Sequence, residues 1–160
     1  MSLRTVIEKT VLSVGVLIAA ACNSSDIVGP HDFARLSQAR ARWDARPFAD
    51  YSYETRKLCF CPVEITRWTR VSVRNGVVVA AEPVEADPGV PIMTLSWWTT
   101  IDSLFDDLFR NMTETSSYLE SIEAEYDPKL GFPTSIEYRA KSNIADGGSS
   151  ISVRNVRPLD

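Results

Sequence analysis

Two cysteines separated by one residue, Cys59 and Cys61 in KLCFCPVE, are the side chains best suited to chemistry. In a regular strand, residues i and i+2 share a face but stand about 6.6 Å apart along the chain. A disulfide instead needs Cβ atoms about 3.8 Å apart. Pro62 favours a bend, because it lacks an N–H and restricts φ. We therefore predict a disulfide that clips the turn between the first two strands.

Two other uses of this cysteine pair stay open. Disulfides in small strained rings are easily reduced, so a redox-active pair is the second hypothesis. A metal site is the third, but structural zinc needs four ligands, and the chain offers one histidine, His31. His31 also precedes the first predicted helix, whereas Ser–His or Cys–His catalysis needs a histidine held in the fold. The sequence predicts no catalytic residue, metal or cofactor.

The N-terminal segment predicts export from the cytoplasm. Arg4 and Lys9 precede an uncharged run, Thr10–Ala21, and this order is the pattern of a secretory signal. The run is shorter than the roughly 20 residues of a membrane-spanning helix. The following Cys22 completes an A-A-A-C segment that resembles the lipobox of bacterial lipoproteins, which implies that this cysteine carries lipid. That motif more often has leucine where Ala19 stands, so a plain cut after Ala21 is the alternative.

These patterns divide the chain into a signal peptide (1–21), a lipid-anchor cysteine with its tether (22–31) and one domain (32–160). The whole chain has a formal net charge of −4 and no run of basic residues, so nucleic acid is not an expected partner. We expect contact with a membrane through the N-terminal lipid, and an envelope protein as partner. The expected location is the bacterial cell envelope, on the periplasmic or outer-membrane side.

Hydrophobic periodicity predicts two halves with the same order of elements. Each half has one amphipathic helix followed by three strands. Strands with one apolar face need a cover, and amphipathic helices need a sheet. The predicted class is therefore α+β, an antiparallel sheet with two helices packed on one face, in the order α-β-β-β-α-β-β-β of a possible duplicated unit. The predicted segments are helices at 32–47 and 99–112 and strands at 50–59, 64–74, 77–82, 117–127, 134–141 and 149–157.

Turn-forming residues mark two of the predicted hairpins. Asn75-Gly76 is a strong hairpin signal, because both residues must accept positive φ. The second turn runs from Tyr126 to Pro133. There Asp127 is expected to accept hydrogen bonds from backbone N–H groups, and Gly131 is expected to take positive φ. We interpret these residues as structural.

The connection from Glu82 to Trp98 is the candidate binding segment. Long ordered loops are uncommon and are often functional, although a plain surface crossover is the alternative. This loop carries acidic residues and ends in two tryptophans. One tryptophan should pack at the start of the second helix, and the other should form an exposed patch. With the open face of the sheet, the predicted contact surface comprises Glu82, Glu85, Asp87, Trp97 and Trp98.

The order and spacing of these motifs resemble the bacterial lipoprotein family called domain of unknown function 6174. The resemblance covers roughly Asp32 to Val156 and implies a secreted or lipid-anchored envelope domain without a known activity. We therefore predict a non-catalytic binding module. The alternatives are a thiol–disulfide protein that uses Cys59 and Cys61, or an inhibitor of a secreted enzyme. The residues that carry the resemblance are Trp43, Tyr51-Ser52-Tyr53, Cys59-Phe60-Cys61, Asn75-Gly76, Thr100-Ile101, Leu104-Phe105, Tyr126-Asp127 and Leu130-Gly131-Phe132-Pro133.

Overall fold

The computed structural model of the chain describes residues 30–86, 89, 91, 93–113 and 118–160. The predicted signal peptide, Cys22, most of the tether and Asp87 lie outside these residues. The described elements are α1 (Pro30–Asp44), β1 (Tyr51–Leu58), α2 (Val63–Thr66), β2 (Thr69–Arg74), β3 (Val77–Pro83), a 3-10 turn (Leu95–Trp97), α3 (Ile101–Thr113), β4 (Leu119–Tyr126), β5 (Pro133–Ala140) and β6 (Ser149–Pro158).

The six strands form one antiparallel sheet in the order β3-β2-β1-β6-β5-β4. The predicted α+β class and the order of its main elements are confirmed. The last strand, β6, lies between β1 and β5, so it joins the two halves of the sheet. Consequently, residues about a hundred positions apart become cross-strand neighbours, such as Glu54 and Arg154.

Two predicted element boundaries were wrong. The second strand begins at Thr69, and not at residue 64, because the chain first forms the one-turn helix α2 after Pro62. Ile65, predicted to lie on that strand, is buried from this helix instead. The first helix begins at Pro30, before the predicted start at residue 32, so Asp32 lies in its first turn. Proline is favourable at the start of a helix, where its missing N–H has no partner to lose.

Both long helices cover the same face of the sheet. Their buried side chains join those of β1, β2, β4, β5 and β6 in a single cluster. Gly131 lets α1 approach the turn before β5, since an added Cβ would collide with the backbone oxygen of Ala39. The buried residues of this cluster are Leu36, Ala39, Trp43, Tyr51, Tyr53, Val71, Val73, Ile101, Leu104, Phe105, Leu108, Leu119, Ile122, Phe132, Ile136 and Val153.

The turn residues adopt the local geometry that their types favour. Asn75 and Gly76 have φ of 49° and 73° between β2 and β3, and Gly131 has φ of 85°. The carboxylate of Asp127 accepts hydrogen bonds from the backbone N–H groups of Lys129 and Leu130, at 2.9 and 2.6 Å. Such an arrangement stabilises the tight connection between β4 and β5.

Within the described part of the chain, no helix combines the length and the apolar character needed to cross a bilayer.

Candidate functional site

Cys59 and Cys61 lie at the exposed end of β1, where the chain bends towards α2. The structure brings them together as a close pair, with their Cα atoms 5.2 Å apart. The intervening Phe60 is 88% exposed, the largest exposed fraction among the large apolar residues described. Cys59 and Phe60 line an open cleft of about 900 Å³ along the β5–β6 hairpin. No group of three or more potential metal-ligating side chains occurs in the described ranges.

The residues predicted to form one binding surface are divided between two sides of the sheet. Trp97, 53% exposed, and the half-buried Trp98 line a cavity between α3 and the covered face. Glu82 instead pairs in register with Arg70 in the neighbouring strand. Glu85 is exposed in the turn after β3, and Asp87 lies outside the described residues. The structure therefore brings the two tryptophans together but gives them different surroundings from Glu82.

The start of α3 is tied to β1 beside the tryptophans. The hydroxyl of Tyr53 donates to the backbone oxygen of Thr99. The backbone N–H of Ile101 donates to the hydroxyl oxygen of Tyr51 at 3.1 Å, and Thr100 caps the helix through the N–H of Ser103 at 3.0 Å. Burial raises the pKa of both tyrosines, so both hydroxyls stay protonated. These contacts position the segment that carries Trp98.

The cavity beside Trp97 and Trp98, here called the tryptophan cavity, has a volume of about 170 Å³. Its walls are mostly apolar, and they also include Lys57 and Asp107. The indole N–H of Trp98 is buried and has no hydrogen-bond partner among the described residues. Asp107 forms an ion pair with Arg110 at 3.0 Å, whereas Lys57 forms none with any described residue. The remaining wall residues are Tyr53, Thr55, Ile65, Thr99, Leu104 and Ile151.

The uncovered face of the sheet, here called the open face, contains a buried carboxylate. Glu54 is only 5% exposed. It accepts hydrogen bonds from Arg70 at 3.0 Å, Arg154 at 2.9 Å and Asn155 at 2.8 Å. Burial opposes its charge, but these hydrogen bonds prevail and hold the pKa of Glu54 below its usual value. Asn155 has φ of 55°, next to a register shift between β1 and β6.

A tryptophan on the same face organises two guanidinium groups. The ring centroid of Trp68 lies 3.8 Å from the guanidinium carbon of Arg154 and 4.8 Å from that of Arg56. Both distances fall within the range of cation–π attraction. Arg56 forms no ion pair with a described residue. The open-face cluster of Arg56, Arg70, Arg154, Trp68 and Glu54 therefore carries three cations and one anion.

The other half of the open face carries the opposite charge balance. On β4 and β5, Glu123 and Glu137 both pair with Arg139, at 3.5 and 3.1 Å. Charge is thus separated along the sheet. The sequence signal for the basic half is the charge at alternate positions of β1 and β2. Sequence reasoning missed the basic half of the open face, because its residues come together only when β1 pairs with β6.

A comparison with known protein families identifies the family of this chain. The model of a family of unknown function, DUF6174, matches residues 35–158. The chain belongs to DUF6174. This match spans α1 to β6, so all the sites described above lie within the DUF6174 domain. No curated protein and no solved structure matches the DUF6174 chain.

Proposed function

We propose that this DUF6174 protein is a lipid-anchored, non-catalytic binding module of the bacterial cell envelope. We propose further that its open face binds an acidic segment of an envelope protein. The anchor and the location are inferred from the sequence around Cys22. The binding role rests on one observation, which is the cluster of three arginines and Trp68 on the face that no helix covers.

Charge complementarity selects an acidic partner. Guanidinium groups bind carboxylates through paired hydrogen bonds in a fixed geometry. The chain as a whole is negative, at −4, yet this part of its surface carries three arginines against Glu54 and the neighbouring Glu82. A local charge opposite to the net charge favours encounter with an acidic partner in one orientation.

The cluster is also organised before any partner binds. Glu54 holds Arg70 and Arg154, and Trp68 stacks on Arg154 and Arg56. Ordering long side chains on association is costly, and a group that is already held loses less freedom. Arg56 has no carboxylate partner within the described part of the chain, so it is the residue best placed to accept one.

The same geometry argues against catalysis by Glu54. Its carboxylate already accepts three hydrogen bonds, and its pKa is lowered. A general acid or base works best with a pKa near the working pH. Glu54 stays ionised at neutral pH and acts as a holder for the arginines.

A synthetic acidic peptide tests the proposal. The full chain carrying Cys22→Ser, which removes the predicted lipid site, would be titrated with a glutamate-rich peptide by calorimetry. We expect binding that weakens with added salt. Arg56→Ala should weaken it about fivefold, the effect of one partly exposed ion pair. Glu82→Gln should strengthen it, since it removes a carboxylate paired in register with Arg70.

Arg110→Ala is the matched control, because Arg110 is an exposed arginine on α3. Equal losses in the Arg56 and Arg110 variants would overturn the proposed surface. So would equal binding of a lysine-rich peptide. Binding to vesicles of anionic lipid without binding to the acidic peptide would also overturn it, in favour of a membrane surface.

Mass spectrometry of the intact protein from its native host tests the anchor. We expect a chain that begins at Cys22 and carries acyl groups. An unmodified chain that begins at Cys22, or one that still contains the N-terminal segment, would contradict lipid anchoring while leaving the open-face proposal unaffected.

A further inference from the structure

We infer that the tryptophan cavity binds a small amphipathic anion, consisting of one apolar ring or short chain and a carboxylate. The cavity lies on the covered side of the sheet, between α3 and β1, and shares no residue with the open-face cluster. The two binding sites can therefore be tested separately in the same molecule.

The size of the cavity limits its ligand to a single small group. Its volume is about 170 Å³. An apolar cavity of about 150 Å³ in another protein stays dry and binds benzene. Ile65, Leu104 and Ile151 provide aliphatic contacts, and Trp97 and Trp98 provide aromatic surface. One six-membered ring with a short substituent fits this space.

The buried N–H of Trp98 calls for an acceptor. Buried polar groups in folded proteins almost always have a hydrogen-bond partner, and an unpaired one destabilises the folded state. Trp98 is held in place because Tyr53 and Tyr51 tie the following residues to β1. The indole therefore cannot easily turn towards solvent, and a ligand oxygen that reaches the N–H through a small shift of the cavity wall would satisfy it.

The charge of the ligand follows from the two charged wall residues. Asp107 is already paired with Arg110 at 3.0 Å. Lys57 has no ion pair with any described residue, so its ammonium group is the uncompensated charge at this cavity. A carboxylate offers two acceptor oxygens, which suits a site where Lys57 and the Trp98 N–H are the donors that no described residue pairs with.

The indole N–H signals of the four tryptophans provide the test. The full chain carrying Cys22→Ser would be labelled with ¹⁵N and titrated separately with benzoate, benzyl alcohol and benzylamine. Benzoate should shift the signals of Trp97 and Trp98 in a saturable manner at millimolar concentration. Trp68, on the open face, should not respond. Benzyl alcohol should bind more weakly than benzoate, and benzylamine should not bind.

Two variants separate the roles of charge and hydrogen bonding. Lys57→Met should weaken benzoate binding about fivefold to tenfold without changing that of benzyl alcohol. Trp98→Phe keeps an aromatic ring but removes the N–H, and it should weaken both ligands, followed through Trp97. Lys129→Met is the matched control, because Lys129 is an exposed lysine in the β4–β5 turn.

Three results would overturn the inference. They are an absence of shifts at Trp97 and Trp98 with millimolar benzoate, equal shifts at Trp68, and binding of benzylamine as tight as that of benzoate. A glutamate-rich peptide that shifts Trp68 in the same sample would show that the protein is folded. Failure at the cavity would then be distinguished from failure of the proposed function.

Discussion

The two faces of the sheet each stack an arginine on a tryptophan, but the surroundings differ. On the covered face, Trp43 is fully buried beneath Arg46, whose guanidinium carbon lies 4.1 Å from the ring centroid. The indole N–H of Trp43 donates to Asp102 at 3.2 Å, and Arg46 forms an ion pair with the same carboxylate at 3.6 Å. On the open face, Trp68 stacks on Arg154 and on Arg56, which forms no ion pair with the residues that the structure describes. In the covered stack, the arginine is paired with Asp102. In the open stack, Arg56 has no ion pair with a described residue and can bind a partner's carboxylate.

This difference indicates how one alternating pattern can serve two purposes. Successive side chains of a strand point to opposite faces. In β1, Tyr51 and Tyr53 reach the core, while Glu54 and Arg56 belong to the open-face cluster. Burial of aromatic surface stabilises the domain from one side. The other side is free to carry charges that need a partner.

Removing the tryptophan of the covered stack should have the largest effect. Trp43→Ala would leave a cavity where a fully buried ring contacts Tyr51, Phe48 and Phe132. We expect the free energy of unfolding to fall by about 3–5 kcal/mol, measured by chemical denaturation. Trp68→Ala is the control from the open face and should cost far less. Equal losses would contradict the distinction between a structural stack and a binding stack.

Removing the carboxylate of the open face should have an intermediate effect. Glu54→Gln leaves Arg70 and Arg154 without their shared partner, which should cost about 1–2 kcal/mol at neutral pH because both arginines are partly exposed. The same variant should weaken binding of the acidic peptide, since the two guanidinium groups would no longer be held.

The pH dependence of this loss has a definite sign. The pKa of Glu54 is lower in the folded chain than in the unfolded chain, so its contribution is present above the unfolded pKa and is lost as the pH falls through the folded pKa. The stability advantage of the wild type over Glu54→Gln should therefore shrink below about pH 4. Glu123→Gln, in an exposed ion pair, is the control. An advantage that grows on acidification would show that the carboxylate is not stabilising as an anion.

Features that depend on interactions within one short segment could be predicted from the sequence, whereas features that depend on contacts between distant segments could not. The stripe of Ile101, Leu104, Phe105 and Leu108 identified α3, because its spacing is local to one helix. The helix α2 was missed, since its single turn depends on the bend that precedes it. The open-face cluster was missed because Glu54 and Arg154 meet only when β6 inserts between β1 and β5. Trp97 and Trp98 were predicted to belong to a contact surface with Glu82, Glu85 and Asp87, whereas in the structure they line a cavity with Lys57 and Tyr53, which the sheet brings beside them.

The cysteine pair, at the end of β1, should have the smallest effect on stability. A disulfide stabilises chiefly by restricting the unfolded chain, and a ring this small contributes only about 1.5 kcal/mol. Replacing both Cys59 and Cys61 by serine should therefore lower the melting temperature slightly and leave the binding of acidic peptide and benzoate unchanged. Phe60→Ala, which alters the same bend without touching sulfur, is the control. The untreated chain should be lighter by two hydrogen atoms than the reduced chain.

The reduction potential of this pair decides between a clip and a redox function. Structural disulfides of secreted proteins resist reduction by glutathione, with potentials below about −300 mV. If the pair is a structural clip, its reduction potential should lie in that range, and the folded protein should not undergo thiol–disulfide exchange with glutathione. A higher potential with rapid exchange would favour thiol–disulfide chemistry at the exposed Phe60 loop, next to the cleft along β5 and β6. The end of β1 would then be a third functional region, independent of both faces of the sheet.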